Sequence, residues 1–277
     1  MVRSRGGPSA HGSTSKVSTS KRTIRAYWLG PRRYQVIHAL QERLLLARQQ
    51  GRIGDTLLLL EHCPVITMGR GARPENVLLS PSMLEARGVE LVTTDRGGDV
   101  TYHGPGQLVG YPIVGLEPDR CDVRRYVRDL IETMVGLALD HGVSAGVLDK
   151  YPGVWVDVES PRQWPGQDEA KQPAKLGAVG IRISRWVTMH GFAFNACTSL
   201  EGFGLIVPCG IQQFDVTTLH ELVGGTRQPK ALAPRAAELL CERMEADLDR
   251  FSSVEVSDNE LEEALGVPSD VDEMPAE

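Results

Sequence analysis

Two stretches of the chain carry residue types that can do chemistry. The first is RGGDVTYHGPGQLVGYPI, residues 96–113, in which five glycines and two prolines surround Arg96, Tyr102, His103 and Gln107. A phosphate-binding loop needs G-x-x-x-x-G-K-[ST], and nothing here supplies that lysine. A dinucleotide fingerprint needs a strand before GxGxxG and a helix after it, whereas here the strand follows and proline sits among the glycines. The stretch therefore reads as backbone lying close against something other than a nucleotide, with polar side chains that a bare turn does not require. The second stretch is IVPCGI, where glycine and proline flank Cys209 in a loop and leave a reachable thiol. Cys241, by contrast, sits inside an apolar helical pattern, as buried cysteines do.

A nucleophilic cysteine needs a partner that lowers its pKa or takes its proton. His103 and His190 are candidates. Lys175 is another, because it opens the apolar run AKLGAVGI in a chain with only six lysines against 24 arginines. A desolvated lysine shifts toward neutral pH and arginine does not. Residue types alone do not choose among the three. No metal is expected. His62 and Cys63 are adjacent and point to opposite faces of a strand, and neither HExxH nor paired Cys/His spacing occurs. A GxSxG serine elbow is also missing.

Local patterns place these residues. Apolar positions 36, 37, 40, 44 and 45 predict a helix over 34–49, stopped by Gly51. TLLLLEH and QLVGYPIV read as buried strands. Asp122 is the N-cap of a helix to His141 whose apolar face runs from Val123 through Tyr126, Leu130 and Met134 to Leu137. GVWVDV alternates as a strand, and the polar, proline-rich 159–173 reads as a surface loop. KLGAVGIRIS and RWVTMHGFAFNA form a hairpin turning near Ser184 and Arg185. A last helix is expected from Pro234 to about Arg250. The sum is one α/β domain with a mixed sheet over residues 24–252.

The 277 residues carry net charge −6, unevenly spread. Residues 1–25 hold six Lys/Arg and no acid, while 251–277 hold nine Asp/Glu and no base. The near-balanced body lacks the basic face of a nucleic-acid binder. No run approaches a membrane span, and the head lacks the apolar core of a secretory signal. A disordered basic tail is expected over 1–23 and a mostly disordered acidic tail over 253–277, with LEEALGVP a short helix outside the core. Five scattered cysteines without CxxC fit reduced thiols in the cytoplasm.

The segments LLLLEHCPVITMGR, DRGGDVTYHGPGQLVGYPI, PGVWV, KLGAVGIRISRWVTMHGFAFN and PCGI…VTTL resemble, in order and over roughly residues 24–250, the octanoyltransferases of lipoate biosynthesis. That resemblance implies the mixed-sheet α/β fold of biotin and lipoate protein ligases, related to class II synthetases. It also implies transfer of an octanoyl group from octanoyl-acyl carrier protein to a lysine of lipoyl domains, those of 2-oxoacid dehydrogenase E2 subunits and of glycine cleavage H protein. Cys209 then matches the acyl-carrying nucleophile and Lys175 the lysine that lowers its pKa. Arg96, Gly97, Gly98, Asp99, Val100, Thr101, Tyr102 and His103 match the substrate-binding loop, with Arg96, Tyr102 and His103 at its entrance. Ala178, Val179 and Gly180, with Gly191, Phe192 and Ala193, match two further substrate-contacting segments. No cofactor, metal, nucleic acid or membrane is implied. Two departures stand out: Cys63 replaces a proline common in the family, and the stretch before Lys175 is longer than usual. An ATP-dependent ligase of the same fold would need no cysteine nucleophile, and a non-catalytic binding protein would need neither Cys209 nor Lys175.

Overall fold

The computed structural model describes residues 21–207 and 213–271. Its elements in chain order are β1 (Thr23–Arg32), α1 (Tyr34–Gln49), β2 (Asp55–His62), β3 (Val65–Met68), α2 (Pro81–Glu85), β4 (Glu90–Thr93), β5 (Val100–His103) and β6 (Gln107–Ile113). They continue with α3 (Val123–Asp140), β7 (Gly146–Leu148), β8 (Tyr151–Asp157), β9 (Pro173–Ser184), β10 (Val187–Asn195) and β11 (Asp215–Val216). The chain then forms α4 (Leu219–Val223), α5 (Pro229–Arg243), β12 (Asp247–Ser253) and α6 (Leu261–Ala264).

The main sheet has nine strands in the order β12-β1-β2-β6-β10-β9-β8-β7, with β11 joined to β9. The β1 strand runs parallel to both its neighbours, while β2, β6, β10, β9 and β8 alternate in direction, so the sheet is mixed as expected. Helices cover both faces, which is why β2 reads as an unbroken apolar run. Leu57 and Leu59 pack with α3 and α5 on one face, and Leu58 and Leu60 pack with α1 on the other. A second sheet, β4-β3-β5, holds the connection from β4 to β5 that contains the glycine loop. Among the described residues no helix is long and apolar enough to cross a membrane.

The local signals act as predicted in several places. The Asp122 side chain accepts from the Arg124 and Arg125 amides and so starts α3, although Val123 is left exposed. Arg185 and Trp186 both adopt positive φ (47° and 56°), giving the tight β9–β10 turn without glycine. The C-terminal part differs from expectation. The last long helix starts at Pro229, five residues before Pro234, and ends at Arg243. Residues 247–253 leave it to pair with β1. The apolar spacing that suggests a longer helix belongs to two elements, broken at Glu245 with φ of 55°.

The acidic segment is also no loose tail as far as residue 271. Leu261, Leu265, Val267 and Val271 are buried, and the first three join the core under α1. Arginines of β1 and α1 hold it from the other side. Arg32 reaches Asp258 at 2.7 Å and the Val256 carbonyl at 2.8 Å, while Arg43 meets Glu262 and donates to the Pro268 carbonyl at 3.0 Å. The expected tail residues 1–20 and 272–277 lie outside the described residues. Leu261→Ala should cost about 2–4 kcal/mol through the cavity it leaves. Thermal denaturation should show Tm lowered by roughly 5–10 °C. An unchanged Tm would mean the segment adds nothing to the fold.

Candidate active site

The loop that follows β4 is built on a backbone-to-backbone crossing. Gly97 N–H donates to the Ile181 carbonyl of β9 at 2.9 Å, so the loop lies flat on the sheet. On its other side Arg70 and Gly71 N–H donate to the carbonyls of Arg96 and Gly98 at 3.0 Å each. Gly180 sits directly beneath, paired across the hairpin with Gly191. A Cβ on Gly180 would come within 3.1 Å of both the Arg96 Cδ and the Gly97 carbonyl. The glycine density thus serves contact between protein backbones.

Arg96 is 8% exposed, and its guanidinium is used inside the loop. Nε and Nη2 donate to Thr67 on β3, Nη2 also donates to the Asp99 carbonyl at 2.8 Å, and Nη1 donates to the Gly97 carbonyl at 3.0 Å. Asp99 fixes the other end: it accepts from the Val100 and Arg73 amides and from the Asn76 side chain. These two charged residues shape the loop.

Between the loop and the β9–β10 hairpin lies a cavity of about 60 Å³. Of the residues singled out by sequence, Arg96, Gly98, Asp99, Val100, Thr101 and His103 line it from one side. Ala178, Val179, Gly180, Gly191, Phe192 and Ala193 line it from the other. Gly97 and Tyr102 do not. Gly97 is spent on the crossing, and Tyr102 turns away to pack edge-on against Phe203, with ring centroids 5.4 Å apart. Tyr34, Tyr111 and His190 complete the wall. Tyr34 and Tyr111 carry no sequence signal, because their approach depends on how α1 and β6 meet the loop.

A second, smaller chamber of about 20 Å³ contains Lys175, Gln107 and Asn195, and it shares Thr101 and Ala178 with the first. Lys175 lies where β9 has left β10 and is flanked by Trp155 of β8 and Val216 of β11. The side chain is buried, with Nζ 4.9 Å above the Trp155 ring and 3.4 Å from the Pro152 carbonyl. Cys209 lies outside the described residues.

Buried histidines stiffen the cavity wall, and their tautomers follow from their partners. Asn195 Nδ2 donates to the Thr217 carbonyl, so its Oδ1 accepts from Gln107 Nε2 at 2.9 Å. Gln107 Oε1 must then accept from His103 Nδ1 at 2.7 Å, leaving His103 Nε2 as a bare acceptor. His62 Nδ1 donates to the Arg32 carbonyl, and its Nε2 accepts from the Tyr111 hydroxyl at 2.8 Å. Burial lowers His62 to about 4 and His103 to about 3, so both are neutral near pH 7. Asp95 is held down to about 2, chiefly by the hydrogen bond from His190 and also by Arg182. Unfolded histidines protonate near pH 6.5, where these two do not. Their stabilising effect is therefore complete above that pH and declines as pH falls toward 4 and 3. Each should steepen the loss by up to about 1.4 kcal/mol per pH unit. A Tm series from pH 7 to 4 should fall across this window, less steeply in His62→Gln. A flat series would contradict buried neutral imidazoles.

Residues 33–240 match a family model described as the lipoyl protein ligase A/B catalytic domain. An octanoyltransferase of Myxococcus xanthus is 47% identical over 202 residues, covering 73% of this chain and 54% of that longer protein. The octanoyltransferase of Chloroflexus aggregans is 43% identical over 221 residues, covering 79% of this chain and 94% of that one. Among solved structures, a bipartite lipoate protein ligase from Thermoplasma acidophilum superposes with TM-score 0.62 at 14% identity, covering 88% of this chain and 92% of that chain. A lipoate-protein ligase A bound with ATP gives 0.64 at 16% identity, covering 88% and 94%. At such identities the shared property is the fold, the one expected from the sequence. From the matched span and the level of identity, the chain belongs to the lipoyl protein ligase A/B catalytic-domain family and, within it, to the octanoyltransferases.

Proposed function

We propose that the chain moves an octanoyl group from octanoyl-acyl carrier protein to a specific lysine of lipoyl domains, through a thioester on Cys209. The observation that carries this is the 43–47% identity to octanoyltransferases, together with a family match over residues 33–240 that spans the glycine loop, Lys175 and Cys209. The receiving proteins are E2 subunits of 2-oxoacid dehydrogenases and the glycine cleavage H protein, and the reaction is the first step of endogenous protein lipoylation in the cytoplasm.

In the first half-reaction the Cys209 thiolate adds to the thioester carbonyl of the carrier. The carbon–sulfur bond to phosphopantetheine breaks, and the departing thiolate takes its proton from the Lys175 ammonium, leaving a neutral amine. One thioester replaces another, so the exchange is close to isoenergetic. In the second half-reaction the lipoyl-domain amine adds to the acyl-enzyme carbonyl. The Cys209–carbon bond breaks, an amide forms, and the amine's proton passes to Lys175. The buried Lys175 on its strand, fixed between Trp155 and Pro152, suits a group that must meet both half-reactions in one place. The acyl chain occupies the cavity between the 96–103 loop and the β9–β10 hairpin, whose Val100, Val179, Phe192 and Ala193 offer apolar contact. Neither half-reaction consumes ATP.

Incubation with octanoyl-acyl carrier protein alone should add one octanoyl mass to the intact chain, absent from Cys209→Ser. Labelling of that variant, or a requirement for ATP, would overturn the assignment. Lys175→Arg should lower transfer to a lipoyl domain by about 100-fold or more, since arginine cannot accept the proton. A rate near wild type would remove Lys175 from the chemistry.

A further inference from the structure

At the rim of the cavity three side chains from distant parts of the chain converge. His38 on α1, Asp95 just before the glycine loop and His190 on β10 each bring one ligating atom within 4.8 Å of the other two. Asp95 Oδ1 lies 2.8 Å from His190 Nε2 and 4.0 Å from His38 Nε2. His190 is 1% exposed and holds φ of 58° inside a strand, an unfavourable conformation for a residue with a Cβ. Its backbone N–H donates to Gln41 Oε1 at 2.9 Å, which fixes Gln41 Nε2 as a donor.

A second observation concerns what these groups lack. His38 Nε2, His190 Nδ1 and Gln41 Nε2 are all buried without a hydrogen-bond partner among the described residues. His38 and Gln41 lie one helical turn apart, and both face His190. Buried polar atoms are ordinarily satisfied, and three unsatisfied ones in a single patch call for a bound species. Without an ion the Asp95 carboxylate accepts from His190 Nε2–H; in the other neutral tautomer the proton sits on Nδ1 and the Nε2 lone pair faces Asp95.

We propose that His38, Asp95 and His190 bind one divalent transition-metal ion of the zinc class, with a water that accepts from the Gln41 amide in the fourth position. Two imidazoles and one carboxylate make a borderline donor set that suits zinc; calcium and magnesium prefer oxygen throughout. Outer partners orient the ligands as metal sites require: Glu42 lies 3.7 Å from His38 Nδ1, and Arg182 holds Asp95 Oδ2 at 2.7 Å. Asp95 and Glu42 together exceed the charge of that one guanidinium. Ligation moves the His190 proton from Nε2 to Nδ1, so each neutral imidazole offers a lone pair and no net proton has to leave. The ion ties α1 and β10 to the residue preceding Arg96 and so clamps the loop. This role is independent of acyl transfer and does not rest on it.

Chelator-treated full-length protein titrated with Co²⁺ should give visible d–d absorption saturating at one ion per chain, without a thiolate-to-cobalt band in the near ultraviolet. Zn²⁺ should displace it and raise Tm. His38→Ala, at a half-buried helix position that tolerates truncation, and Asp95→Asn should each weaken binding at least about tenfold. A thiolate band, affinity unchanged in His38→Ala, or no saturable binding would each overturn the site.

Discussion

The fold of the candidate site depends on one close approach, that of the residue 96–99 backbone to the β9–β10 hairpin. Gly97 bonds to Ile181, and the facing pair Gly180 and Gly191 leaves no side chain in the way. Everything around the crossing is arranged to keep it. Arg96 is turned inward to bind Thr67 and the loop's own carbonyls, and Asp99 collects the amides at the far end. The hydrogen bonds of this charged pair hold the loop's shape, and both residues also line the cavity. What is left facing the cavity is mostly backbone, small apolar side chains and neutral imidazole or phenol groups.

That economy bears on the chemistry. Thr101 and Ala178 form the shared wall between the cavity and the chamber that holds Lys175, so the proposed reaction would have the acyl tail in one and its carbonyl toward the other. Gln107 and Asn195 connect the two sides by a run of amide hydrogen bonds from the Thr217 carbonyl to His103. With His103 neutral and held by Gln107, it is a weak base.

Much of this is visible in the sequence wherever the cause is local. The α1 period, the Asp122 cap, the β9–β10 turn and the apolar run of β2 each declare themselves within a dozen residues. The glycine loop also stands out, as does Lys175 among so many arginines. What cannot be read locally depends on partners far along the chain. Arg96 needs Thr67 to reveal its structural role, and Tyr102 needs Phe203 to turn it from the cavity. The acidic segment looks too polar to pack until Arg32 and Arg43 are placed opposite it. The His38, Asp95 and His190 cluster escapes any spacing rule because each residue comes from a different element.

The central claim is that a cysteine-bound acyl chain runs past Thr101 and Ala178 into the cavity under the glycine loop. A crystal structure of the octanoylated protein tests it directly. The account predicts continuous density from Cys209 Sγ, with the carbonyl beside Lys175 and the tail against Val179 and Phe192. Density for the chain on another residue, or lying outside that cavity, would contradict it.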